Sequence, residues 1–276
     1  MTTAANPPAA TAPMEPHNGF SLISNEKLVQ LYTTMLKCNL LEERIAAAKG
    51  RSVLLREEAA TVGVIVDLLA ADTLAPSSGG WMHAFVKGLS VEHIASVIAG
   101  GRGSYAPLNI VSPTLGLKAQ LERAVLAAKE NKKRRNKKIV AAFCGSAGGS
   151  AEFDEAMRAA GKSLLPMILV CHSSSDAAAL YLKAQEYGFP GVVVDGDDAV
   201  AVYRVFTEAV AHARRGNGPT LIECIPWVLP GRKAASNPVL NMARYLKRKG
   251  QFSRKLKTTV IADFSSELDK AFGAAG

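Results

Sequence analysis

Cys171, His172 and Ser173 stand in a row, the residue types from which a nucleophile and its base are built. Adjacent strand residues point to opposite faces, so Cys171 and His172 do not pair locally. No orienting acid stands beside them, and the sequence argues against a hydrolase. Cys144-Gly145-Ser146 opens a second stretch, a glycine-rich turn reaching Ser150. Placed between a strand and a helix, such a turn offers backbone N–H groups to an anion. It lacks the lysine of a phosphate loop, and a vestigial turn is the preferred reading over a live anion site. Arg232 is the distant cation that would reach an anion there, with a plain surface role as the alternative. Cys144 and Cys171 end two apolar runs and read as buried structural thiols.

These residues need a scaffold, and the apolar pattern supplies one. Ser24 is placed to cap a helix whose Leu28, Leu31, Tyr32 and Met35 form one stripe. Further helices are expected over about 57–72, 90–99 and 117–129. From residue 139 the pattern alternates. Apolar runs at 139–144, 167–171, 192–194 and 220–224 are separated by helical stretches at 151–160, 176–186 and 198–215. Short continuous apolar strands between helices specify an α/β fold, a parallel sheet with helices on both faces. The tail from about 238 to 272 reads as amphipathic helix. The organisation expected is an Ala/Pro/Thr-rich arm at 1–19, one α/β domain over 20–225, and a helical C-terminal segment of the same domain at 226–276.

Lys+Arg 33 against Asp+Glu 24 gives a net charge of +9, and 48% hydrophobic residues give ample material for a core. Collagen-like, disordered and disulfide-scaffold classes are excluded. Four widely spaced cysteines, no membrane-length apolar run and no targeting signal in the arm point to a cytoplasmic protein without structural zinc. The charge gathers in two blocks. Residues 129–138 hold seven Lys/Arg against one acid, and residues 232–257 hold nine Lys/Arg and no acid. No nucleic-acid recognition motif accompanies them. Solvated faces are the preferred reading, an acidic protein partner comes next, and nucleic acid is not favoured.

Several segments, in order, resemble one family. Leu31 through Ile45 resembles the opening helix of the alpha subunits of thiamine-diphosphate-dependent 2-oxo acid dehydrogenases of the pyruvate, branched-chain and acetoin types. Glu58-Ala59-Ala60 with Val62-Gly63 resembles the family's QEA…VG, and Lys87 through Ser90 its RGLS. Tyr187 through Asp198 resembles YGIPG…VDGxD, and Arg215 through Glu223 resembles RxGxGPTLIE. The region from Pro238 through Gly250 resembles its terminal helices. The resemblance implies a thiamine-diphosphate-binding-type fold and assembly with a beta subunit as a heterotetramer, or a homo-oligomer if that partner has been lost.

It also implies where the cofactor's contacts would fall, and there the residue types differ. The family's metal-binding GDG falls on Cys144, Gly145 and Ser146, so its carboxylate position is Gly145. The NN pair falls on Ser173 and Ser174. The Tyr-Arg diphosphate pair falls on Ser78 and Gly79, and the late histidine on Arg232. A hard cation needs carboxylate and carbonyl oxygens, and a diphosphate needs cations. Thiamine diphosphate and Mg²⁺, which the resemblance implies, are therefore expected to bind weakly or not at all. Trp81, Met82 and His83 are expected to pack into the emptied space. The activity expected is that of a structural or regulatory alpha-like subunit, with an active dehydrogenase component as the alternative.

Overall fold

Ser24 accepts a hydrogen bond from the Lys27 N–H and opens helix α1, Asn25–Ala48, whose stripe of Leu28, Leu31, Tyr32 and Met35 is buried. The computed structural model describes residues 23–50, 56–145, 149–173, 179–226 and 237–275. Ser146, Ser174 and Arg232 lie outside the described residues, as does the arm at 1–19.

Helix α2 spans Glu58–Ile65, strand β1 Thr73–Ala75, helix α3 Trp81–Val86 and helix α4 Val91–Ile98. Helix α5 is Leu117–Arg134, followed by β2, Val140–Gly145, and α6, Ala151–Lys162. Then come β3, Met167–His172, α7, Leu180–Glu186, β4, Gly191–Asp195, α8, Ala199–Arg214, and β5, Thr220–Ile225. Two helices follow, α9 at Pro238–Arg248 and α10 at Arg254–Ala275.

All strands are parallel, in the order β1-β2-β3-β5-β4. Alternation along each strand divides the core. Val140, Ala142 and Cys144 face α5 and α6 with Leu121, Phe153 and Met157. Ala141 and Phe143 face the other way, toward α2, α3 and α8 with Val64, Ala84 and Val202. Right-handed crossovers account for this division. The chain advances across the sheet through α5, α6 and α7 on one face. It turns back from β4 to β5, so α8 must lie on the other.

Three expectations change. The helix expected over 57–72 ends at Ile65, and the chain enters the three-residue strand β1. Asp72 draws it there: its carboxylate accepts from the N–H of Leu69 at 3.1 Å and of Ile139 at 3.0 Å. Helix α5 runs past 129 through the basic stretch to Arg134, since Lys and Arg are good helix formers and suit a helix C-terminus. The tail is two helices, broken at Gly250 with φ +68°. Helix α10 returns to the body through Phe264, Leu268 and Ala271, and Asp269 pairs with Arg44 of α1.

Candidate functional site

Parallel α/β sheets present ligands at the carboxyl ends of their strands. Here that edge gathers residues 76–80 after β1, Gly145 at the end of β2, His172-Ser173 at the end of β3, and Asp195–Asp197 after β4. Gly79 N–H donates to Pro113 O and Gly80 N–H to Ser77 O, both at 2.8 Å, which folds the first loop back on itself. Gly80 is required there, because a Cβ would come within 2.3 Å of His83 Nδ1 and 2.9 Å of the Ser77 carbonyl oxygen.

A cleft of 320 Å³ opens beside this loop, lined by Glu57, Ser77, Ser78, Gly79, Trp81 and His83 among others. Ser78 and Gly79 are exposed on its rim. Trp81, Met82 and His83 are buried, as expected of packing groups, yet they line the cleft and do not fill it. Lys49 sits over the Trp81 ring at 5.8 Å.

Beneath the cleft lies a polar cluster in which His172 and His83, both named from the sequence, meet Glu57, which was not. His83 is 1% exposed and stacks on Phe143 of β2, with ring centroids 4.0 Å apart. Neither of its ring nitrogens has a hydrogen-bond partner. His172 Nδ1 lies 3.5 Å from Glu57 Oε1, and the two side chains are only 16% and 17% exposed. Burial holds His83 at about 3, with the nearby His172 acting the same way, and burial holds His172 at about 4 although Asp197 opposes it. Burial pushes the Glu57 carboxyl up to about 7. At neutral pH the cluster therefore holds two neutral imidazoles and a half-protonated acid, an environment that disfavours charge of either sign. Its signal in the sequence was the acid pair Glu57-Glu58 entering an otherwise apolar helix. Glu58 is buried too, and accepts from Asn39 Nδ2 at 3.0 Å.

The residues expected from the resemblance are brought to this edge where they are described. Gly145 ends β2 with φ +54°, and among the described residues a Cβ placed there would find only Ser77 Cβ, at 4.0 Å. The register between β2 and β3 shifts between Phe143 and Gly145, which leaves Cys144 in a bulge. Ser173 is buried and donates its N–H to Cys224 O at 3.0 Å. Among the described residues no group of three or more His, Cys, Asp or Glu is arranged to hold a metal ion.

The thiols behave as structural groups. Cys144 and Cys171 lie in the same buried cluster, and Cys224 is buried on the opposite face of the sheet. Burial raises the Cys171 and Cys224 thiols well above their usual range, so neither ionises to act as a nucleophile. No helix among the described residues is long and apolar enough to cross a membrane.

Comparison with known proteins agrees with this architecture. The chain is 27% identical over 240 residues to the alpha subunit of acetoin:2,6-dichlorophenolindophenol oxidoreductase from Bacillus subtilis, covering 76% of this chain and 72% of that one. It is 31% identical over 169 residues to the 2-oxoisovalerate dehydrogenase alpha subunit of the same organism, covering 50% and 51%. It is 28% identical over 251 residues to the pyruvate dehydrogenase E1 component alpha subunit of Porphyra purpurea, covering 77% and 73%. The dehydrogenase E1 component family matches residues 51–231, which take in the whole parallel sheet and the part of the strand-end cleft from Glu57 onward. This chain therefore belongs to the dehydrogenase E1 component family, as an E1 alpha-like member.

Proposed function

We propose that this protein is an alpha-type subunit that keeps the E1 architecture and no longer holds thiamine diphosphate and Mg²⁺ in the family's manner, acting as a structural or regulatory subunit. The observation that carries this reading is Gly145. Where the resemblance implies a metal-binding carboxylate, the strand ends in a residue with no side chain, and among the described residues the nearest atom to an added Cβ is 4.0 Å away. A serine hydroxyl at Ser173 is a weak substitute, since hard cations favour carboxylate and carbonyl oxygens. Ser78 and Gly79 bring no positive charge to the rim where a diphosphate would sit. Each lost charge-assisted contact removes roughly 1.5–3 kcal/mol, so three or four together take a micromolar site beyond useful concentration.

Assembly with a beta-like subunit, or with further copies of this chain, is part of the same reading. It is supported by the alpha-subunit names of the relatives. Four buried free thiols suit a cytoplasmic setting.

Calorimetric titration with thiamine diphosphate and Mg²⁺ tests the proposal, first on this chain alone and then with a beta-like chain present. No saturable heat at micromolar concentrations is the expected outcome in both cases. Saturable micromolar binding would overturn it and restore an active dehydrogenase component.

A further inference from the structure

The opposite edge of the sheet carries a second pocket, far along the strands from the cleft. It has a volume of 310 Å³ and sits where β2, β3 and β5 begin and where α5 and α8 end. Six cations line it: Lys132, Arg135, Lys137, Lys138, Arg214 and Arg215. They come from separate stretches of chain, so the pocket is assembled by the fold and is not a single run of charge. Leu164 and Pro166 supply an apolar part of its lining.

The positive charge greatly exceeds what the fold needs. Arg214 is matched by Asp72, at 2.6 Å. Lys132 Nζ is engaged by the carbonyl oxygens of Ser163 at 2.6 Å and Leu164 at 3.3 Å. Among the described residues, no ion pair engages Arg135, Lys137, Lys138 or Arg215. The two helix ends contribute together roughly one negative charge, so about four positive charges remain without a counter-charge.

The backbone around the pocket is also held in a rare conformation. Arg135, Lys137 and Leu164 have φ of +49°, +59° and +41°, and Gly216 has +84°. Arg135 and Leu164 take this conformation where α5 and α6 end, closed by Asn136 N–H to Asn131 O at 3.4 Å and Leu165 N–H to Ala160 O at 3.0 Å, so two helix terminations fix the pocket wall. The loop is braced as well. Asn136 Oδ1 accepts from the Lys138 N–H at 2.9 Å, and Asn136 Nδ2 donates to Asn131 Oδ1 at 3.1 Å. The cations are therefore presented by an ordered loop and not by a frayed helix end.

We infer that this pocket is a binding site for a compact polyphosphate group, such as a diphosphate, carried on a small molecule or free. Guanidinium forks and ammonium groups in one concave site match the several oxygens of linked phosphates. The volume admits a small ligand, and Leu164 and Pro166 offer a place for a flat apolar part. This inference does not rest on the reading of the strand-end cleft, which lies at the other edge of the sheet.

The test is calorimetric titration of the full chain, without Mg²⁺, using pyrophosphate, ADP, adenosine and orthophosphate at 50 and 150 mM salt. Pyrophosphate and ADP are expected to saturate one site, weaker at the higher salt, with adenosine silent and orthophosphate weaker. Tighter binding of ADP than of pyrophosphate assigns the apolar part of the lining to the base, and equal or weaker binding of ADP assigns the site to the diphosphate alone; both support the inference. The double variant Lys137→Gln, Lys138→Gln is expected to weaken binding about tenfold or more. Arg135→Gly is expected to weaken binding about tenfold while raising the thermal midpoint, a combination that loss of folding does not produce. Absence of saturation, binding that these variants leave unchanged, or binding confined to long polyanions such as heparin would overturn the inference.

Discussion

The two edges of the parallel sheet treat charge in opposite ways. At the carboxyl ends of the strands, His83, His172 and Glu57 are withdrawn from solvent, and burial moves each toward its uncharged form. At the amino ends, six cations are gathered around one pocket with a single carboxylate, that of Asp72, bound among them. The same fold thus moves these three groups toward neutrality at one edge and concentrates cations at the other. Burial decides the difference: desolvation penalises an isolated ion heavily, whereas an exposed lysine or arginine keeps its hydration shell. A site for a charged ligand is therefore better supplied by the amino edge than by the carboxyl edge where this architecture ordinarily presents ligands.

The largest expected effect, in Glu57→Gln, is on the pH dependence of stability, and it tests the buried edge. His83 and His172 have native values of about 3 and about 4, below the ordinary 6.5. The unfolded chain takes up protons on them first, so the stability their neutral forms retain is present above about 6.5 and lost as pH falls. Between pH 7 and 4.5 the pair accounts for a loss of roughly 5 kcal/mol. Glu57 acts in the other direction, because a native value of about 7 lies above its ordinary 4.5. Its protonated form favours the native state at acid pH, returning roughly half of that loss. Urea unfolding at pH 7 and 4.5 should show a net fall of about 2–3 kcal/mol in the natural protein. Glu57→Gln should steepen the fall toward 5 kcal/mol, and His172→Gln should flatten it. Parallel profiles for all three proteins would mean that the cluster is open to water.

The next largest effect tests the amino edge. Asp72 is fully buried, accepts from Arg214 and from two backbone N–H groups, and ties β1 to β2. Asp72→Ala leaves the half-buried Arg214 and two N–H groups without their acceptor. A loss of about 3–4 kcal/mol is expected by urea unfolding at neutral pH. A loss under about 1 kcal/mol would show that solvent replaces the carboxylate, and that this edge is held less firmly than the hydrogen bonds imply.

Much of the fold was legible in the sequence because its signals are local. Runs such as residues 139–144 and 167–171 are short, apolar and bounded by turns, and each emerged as a buried strand. β1 was hidden because three residues offer too short a pattern, and its placement depends on Asp72 reaching Ile139, 67 residues away in the chain. The candidate site was legible only where it depended on residue type. Gly145, Ser78 and Gly79 were placed at the strand-end edge by resemblance to a known pattern. Glu57, His83 and His172 meet through three separate elements, and no spacing along the chain announces such a meeting. The amino-edge pocket was half visible. The charge run at 129–138 was evident, but its convergence with Arg214 and Leu164 follows from the crossovers alone.

The smallest expected effect compares the two edges at matched backbone. Gly145 at the carboxyl edge and Arg135 at the amino edge share nearly the same left-handed conformation, with φ of +54° and +49°. At Gly145 the residue type already suits the backbone, and the nearest atom to an added Cβ is 4.0 Å away. Among the described residues Gly145→Asp meets no clash at its Cβ, and the cost expected is the left-handed penalty, about 1 kcal/mol, which Asp tolerates better than most residues. At Arg135 the penalty is already present, and Arg135→Gly should relieve it, raising stability by about 1 kcal/mol or slightly less after glycine's greater freedom in the unfolded chain is counted. Opposite signs of similar size, read from urea midpoints at unchanged slope, would show that Arg135 is retained against its conformational preference and hence for its charge. A stability gain absent at Arg135 would mean that its side chain makes compensating contacts within the fold, and the case for a ligand at the amino edge would then rest on Lys137 and Lys138.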